Sequence, residues 1–137
     1  MNIVKGLLFS LAVAFWSSWP AGSDDASEIA VVVQKYFDGT ANGRPGLVAE
    51  AFLPSLELQF VGKDGELRRW KGTDYIANIK EGVQNKRMGR LVAIDVTGAA
   101  ATAKAEIISG DRTYTDYFLL LKLKDGWRIA NKTFVRH

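Results

Sequence analysis

TYTDYFLLLKLKDGWRIANKTFV, residues 113–135, decides the fold. Two runs rich in Tyr, Phe, Leu and Ile flank one Asp125-Gly126 turn, which is the composition and punctuation of a long β-hairpin. A two-residue Asp125-Gly126 loop would pair Lys124 with Trp127 and set Lys122 and Lys124 on the face of Trp127 and Ile129. A three-residue loop, with Gly126 left-handed in a bulge, pairs Leu123 with Trp127 instead. One face then carries Tyr117, Leu119, Leu121, Leu123, Trp127, Ile129 and Asn131. The other carries Asp116, Phe118, Leu120, Lys122, Arg128, Ala130, Lys132 and Phe134. A slip of one residue exchanges the faces, so the better apolar match selects the second register and makes the first face the core.

Strand patterning continues upstream. Val92, Ile94 and Val96 alternate with Leu91, Ala93 and Asp95, and Ala101, Ala103, Ala105 and Ile107 alternate with Thr102, Lys104 and Glu106. Turns at Thr97-Gly98-Ala99 and Gly110-Asp111 link these runs to the hairpin. Leu56, Leu58 and Phe60 form a half-buried strand, and Lys63-Asp64-Gly65 returns it as residues 66–70. Three helices precede or interrupt the strands. Ile29, Val32, Val33, Tyr36 and Phe37 make an apolar helical face, with Asp24, Asp25 and Ser27 as capping candidates and Gly39 as the stop. Pro45 opens a short helix through Phe52, with Pro54 beyond it. Gly72-Thr73 opens a third that carries Tyr75, Ile76, Ile79 and Val83, followed by a polar loop over 84–89. Helices followed by an antiparallel meander are an α+β layout.

The chain has 137 residues and no cysteine. Residues 1–23 read as a secretory signal peptide: Lys5, an apolar run over 6–16, then Pro20 and the small residues Ala21, Gly22 and Ser23. The expected product is a single domain over 24–137, periplasmic or secreted, with no membrane attachment after cleavage. The formal charge of +3 falls by one with Lys5, too little to imply an acidic partner. Arg68-Arg69-Trp70-Lys71 and the group Lys86, Arg87 and Arg90 read as solvated edges, and no nucleic-acid motif accompanies them.

The order of elements resembles the nuclear transport factor 2-like superfamily, and within it a secreted bacterial family headed "putative lumazine-binding". The resemblance rests on residues 29–39, 67–76, MGRLVAIDVTG over 88–98, ATAKAE over 101–106, TDYFLLLK over 115–122 and DGWRIANK over 125–132. It implies a cone-like, curved antiparallel sheet wrapped around about three helices, the cystatin-like roll. It also implies a homodimer through the outer sheet face, here Phe118, Leu120, Ala130 and Phe134. The superfamily includes ketosteroid isomerases, polyketide cyclases and dehydratases beside members without chemistry, so fold leaves function open.

The expected ligand-binding residues are Tyr36, Trp70, Tyr75, Tyr117 and Asn131, apolar walls with polar tips around a small apolar or aromatic ligand. The row Ala101, Ala103 and Ala105 reads equally as room for a cavity or as tight helix packing. No catalytic residue, metal or cofactor is expected. Asp95, Glu106 and Asp116 alternate onto the solvent face in the chosen register, away from Tyr36. His137, the only histidine, stands at a frayed terminus. No nucleophile–base pair and no metal-ligand spacing occurs. An exported small-molecule-binding domain is therefore the leading expectation. An isomerase-like or cyclase-like enzyme using Tyr36 and one carboxylate, and a dimeric protein-interaction module, are the alternatives.

Overall fold

The computed structural model describes residues 23–137; the leader assigned to residues 1–23 lies outside them except for Ser23. Three helices, α1 (Ser23–Ala41), α2 (Pro45–Ala51) and α3 (Gly72–Ala77), accompany six strands. The strands are β1 (Glu57–Val61), β2 (Leu67–Lys71), β3 (Arg87–Thr97), β4 (Ala100–Ser109), β5 (Arg112–Leu123) and β6 (Gly126–Arg136). They form one sheet in the order β2-β1-β6-β5-β4-β3. The pairing is antiparallel except between β1 and β6, where Leu58 and Gln59 lie parallel to Lys132 and Thr133. This is the expected α+β roll.

Helix α1 follows the expected stripe. Ile29, Val32, Val33, Tyr36, Phe37 and Thr40 are buried and Val31 is exposed, the spacing of one helical face. The helix runs through Gly39 rather than stopping there. A Cβ at Gly39 would stand 2.5 Å from Val48 Cγ2, so glycine serves the close approach of α1 and α2. Asp25 does not cap the helix. Its Oδ1 accepts hydrogen bonds from Lys122 Nζ at 2.6 Å and from the Trp127 indole at 3.0 Å, fastening α1 to the end of the long hairpin.

The hairpin departs from the expected register. Leu123 pairs with Gly126 and Lys122 with Trp127, so the loop is Lys124-Asp125. Gly126, at φ 116°, takes the left-handed backbone where the second strand begins. A bulge then leaves Ala130 unpaired between Leu119↔Asn131 and Leu120↔Ile129. The extra residue reverses the inward set along β6: Trp127 and Ile129 point to the core, and so do Lys132 and Phe134. On β5 the inward residues are Asp116, Phe118 and Leu120.

Two expectations are thereby corrected. Tyr117, Leu119, Leu121 and Leu123 are exposed on the outer face, whereas Phe118 and Leu120, expected there as a dimer surface, are each only 1% exposed. Phe134, expected beside them, packs against the core and stacks on Phe60 at 4.6 Å between ring centroids. Ala130 is the bulge residue itself, half-buried.

A second bulge at Val92 lets Leu91, Ile94 and Val96 all lean on the core. With the bulge in β6 it adds to the bend of the sheet around the helices. Ala101, Ala103 and Ala105 lie in the core cluster, outside the linings of the three cavities described below. Their small side chains let the sheet pack closely, which favours the packing reading of that row. Among the described residues no helix is long and apolar enough to cross a membrane.

Candidate functional site

Beyond the tight packing under α1, the interior opens toward the β1–β2 end of the sheet. A cavity of about 860 Å³ is lined by Tyr36, Leu58, Phe60, Trp70, Tyr75, Arg87, Tyr114, Asp116, Lys132 and Phe134, with His137 and neighbouring strand ends. Three of the expected site residues, Tyr36, Trp70 and Tyr75, meet there. Tyr36 is fully buried and Trp70 is partly open to solvent. Trp70 and Tyr75 stand edge to face at 5.2 Å, and Tyr36 stacks on Phe52 at 5.6 Å. The other two expected residues are elsewhere. Tyr117 and Asn131 border a separate depression of about 290 Å³ with Gln59, Thr102, Leu119 and Thr133. The one-residue difference in register turned them outward.

The same difference turned Asp116 inward, against the expectation that every strand acid faces water. Asp95 and Glu106 do remain exposed, Glu106 paired with Arg90. Asp116 is 1% exposed. Its Oδ2 accepts a hydrogen bond from the Tyr36 hydroxyl at 3.1 Å and lies 3.0 Å from Lys132 Nζ. Lys132 is 5% exposed, and its ammonium stands over the rings of Phe134, at 4.4 Å, and Tyr36, at 5.5 Å. A buried ion pair persists only with good geometry and further polar partners, and these rings and the phenol supply them.

Arg87 completes the group. Expected as part of a solvated loop, it begins β3 and is half-buried. Its Nε donates to Thr40 Oγ1 at 3.0 Å and its Nη2 to the Tyr36 hydroxyl at 2.8 Å. The segment before it is tied to the end of α1 by Asn85, whose amide side chain donates to Thr40 O at 3.0 Å and whose backbone N–H donates to Ala41 O at 2.7 Å. That anchoring sets where the guanidinium enters the interior. Arg87, Trp70 and Tyr75 also border a second cavity of about 510 Å³, enclosed further by Thr40, Ile79, Val83 and Asn85.

Electrostatics follow from burial. The Tyr36 phenol is pushed well above its usual range, first by burial and then by the neighbouring Tyr75 and Asp116. Tyr75 is raised too, by burial. Both phenols stay protonated at neutral pH, and Tyr36 donates its proton to Asp116. Burial lowers the Lys132 ammonium, against the opposing pull of Asp116. Arg87 keeps its charge at any relevant pH. The floor of the cavity therefore holds two cationic side chains and one carboxylate. His137 is not free: its backbone N–H donates to Thr113 O at 2.9 Å and its Nε2 lies 3.0 Å from Thr115 Oγ1, at the cavity's exposed edge. Among the described residues no group of three His, Cys, Asp or Glu side chains could hold a metal.

Arg87, Asp116 and Lys132 went unread as site residues. The available signal was the alternation Asp116-Tyr117-Phe118-Leu119-Leu120, which places an acid in phase with a phenylalanine and a leucine. Its meaning depended on the hairpin register.

A family model described as "Putative lumazine-binding" matches residues 24–135. No curated protein matches the chain. A nuclear transport factor 2-like protein of unknown function from Methylobacillus flagellatus is similar, with 26% identity, a TM-score of 0.75 and coverage of 86% of this chain and 96% of that one. One from Shewanella baltica, also of unknown function, has 24% identity, a TM-score of 0.73 and coverage of 83% and 94%. A ketosteroid isomerase-like protein from Erwinia carotovora atroseptica has 14% identity, a TM-score of 0.66 and coverage of 84% and 98%; that likeness is one of fold.

Proposed function

The chain belongs to the family described as "Putative lumazine-binding", within the nuclear transport factor 2-like superfamily, and on that premise we propose that it is an exported domain that binds a small flat molecule. The observation that carries this reading is the 860 Å³ cavity. It is walled by Phe60, Trp70, Tyr75, Tyr114 and Phe134 and floored by a few hydrogen-bonded polar groups, the composition of a ligand site. The volume suits a fused-ring compound. Aromatic walls favour an aromatic occupant through offset and edge-to-face contacts. The leader-like residues 1–23 support export.

Titration with fused-ring compounds, followed by quenching of tryptophan emission, tests the reading. Trp70 at the cavity rim is the reporter, and Trp70→Phe is expected to abolish most of the signal while leaving affinity measured by calorimetry within about threefold. Absence of saturable binding across pteridines, steroids and naphthalene derivatives would sink it.

Asp116 beside Tyr36 gives a second reading, proton transfer of the isomerase kind. The 3.1 Å contact between a carboxylate and a phenol inside the cavity favours it. Against it stands Lys132 at 3.0 Å, which together with the Tyr36 hydroxyl already occupies the Asp116 oxygen that would have to take a proton. Binding without turnover is therefore the preferred reading. Isomerisation of a β,γ-unsaturated ketosteroid by the wild-type chain, lost in Asp116→Asn, would reverse the preference.

A further inference from the structure

We propose that Arg87 is an anion receptor and that the ligand of the large cavity is an aromatic carboxylate. This rests on the ligand-binding reading above and gives it a chemical class. The guanidinium has five N–H groups in a fixed plane. Two of them, on Nε and Nη2, are spent on Thr40 Oγ1 and the Tyr36 hydroxyl. Both acceptors are neutral, and each has its own proton committed elsewhere. Thr40 donates to the carbonyls of Tyr36 and Phe37 at 2.9 and 3.1 Å, and Tyr36 donates to Asp116. Their lone pairs are therefore turned to Arg87 and hold one edge of its plane.

The opposite edge, both Nη1 hydrogens and the second on Nη2, has no partner among the described residues, and Arg87 borders both cavities. No carboxylate among the described residues lies within ion-pair distance of it. Asp116 is the nearby acid, and Lys132 already neutralises it at 3.0 Å. The floor thus keeps one positive charge in excess beside aromatic walls, and the free edge of the half-buried Arg87 is open to the cavities. A free guanidinium edge of two parallel N–H groups matches a carboxylate with two-point geometry. The ring system of such a ligand would lie between Trp70, Tyr75 and Phe134 while its acid group meets Arg87.

The test compares 2-naphthoate with 2-naphthamide, equal in shape and different in charge, by calorimetry on the mature chain at two ionic strengths. Naphthoate is expected to bind about 10- to 100-fold more tightly, the range of a charged hydrogen-bonded pair. Arg87→Met is expected to abolish the difference in affinity between naphthoate and the amide. Arg87→Lys, which keeps charge but not the planar edge, should recover only part of the difference. Equal binding of acid and amide by the wild-type chain overturns the anion receptor and leaves the cavity reading intact. Binding of neither compound overturns the anion receptor, and the same result with pteridines and steroids would sink the cavity reading as well. The wild-type comparison needs no variant, so it decides the matter even if the substitutions impair folding.

Discussion

The Tyr36 hydroxyl lies 3.1 Å from Asp116 Oδ2 across a separation of 80 residues. It joins α1 to β5 and, through the 2.8 Å bond from Arg87, to β3. One phenol therefore connects three elements and orients both an acid and a guanidinium. Tyr36→Phe would leave each of these one partner short at nearly unchanged volume. Urea unfolding is expected to show a loss of about 1–3 kcal/mol, the cost of stranding buried polar groups. A loss below about 0.5 kcal/mol would mean that water replaces the phenol.

Asp116 and Lys132 are buried together, so removing either alone strands the other. Asp116→Asn and Lys132→Met are each expected to cost about 3–5 kcal/mol. The double substitution should cost less than the sum, with a coupling of about 1–3 kcal/mol. Chemical denaturation of the four proteins closes the cycle, and additive effects would show that the pair does not act as a unit.

Leu119 and Phe118 are sequence neighbours with opposite fates, 55% and 1% exposed. Phe118→Ala is expected to cost about 3–5 kcal/mol through loss of core contacts. Leu119→Ser should stay within about 0.5 kcal/mol. The reverse order in thermal or urea unfolding would restore the register read from the hairpin alone.

Asp25 ties α1 to the hairpin end, and its carboxyl is held below the usual value of 3.8, first by the bond from Lys122 and then by that from Trp127. A folded-state value below the unfolded one means that the contribution is present above about pH 3.8 and fades as pH falls through the lower folded value. Asp25→Asn keeps an acceptor for Trp127 but loses the charge. Its stability deficit against wild type is expected to be full at pH 6 and to shrink as pH falls below about 3.8. A deficit that does not shrink with falling pH would assign the effect to packing.

The legible and illegible parts of the site separate along one physical line. Tyr36 could be placed because helical spacing from Ile29 through Phe37 sets its face without reference to any other element. Trp70 and Tyr75 could be placed because both flank the Gly72 junction of strand and helix. Asp116, Lys132, Tyr117 and Asn131 could not. Their orientation hung on whether the loop is Lys124-Asp125 or Lys124 to Gly126, and on an unpaired Ala130 for which the local sequence offers no separate signal. Arg87 looked like loop because nothing nearby in sequence announces Thr40 and Tyr36 as its acceptors.

By itself the sequence determined the element order, the three helices, the strand meander, the packing stripe of α1 and the family. These depend on local periodicity and turn chemistry, which act over a few residues. The tertiary structure alone decided which face of β5 is inward, and with it the meeting of Tyr36, Arg87, Asp116 and Lys132. A period-two strand carries two self-consistent faces, and only the bulges and the helix packed against them choose between the two.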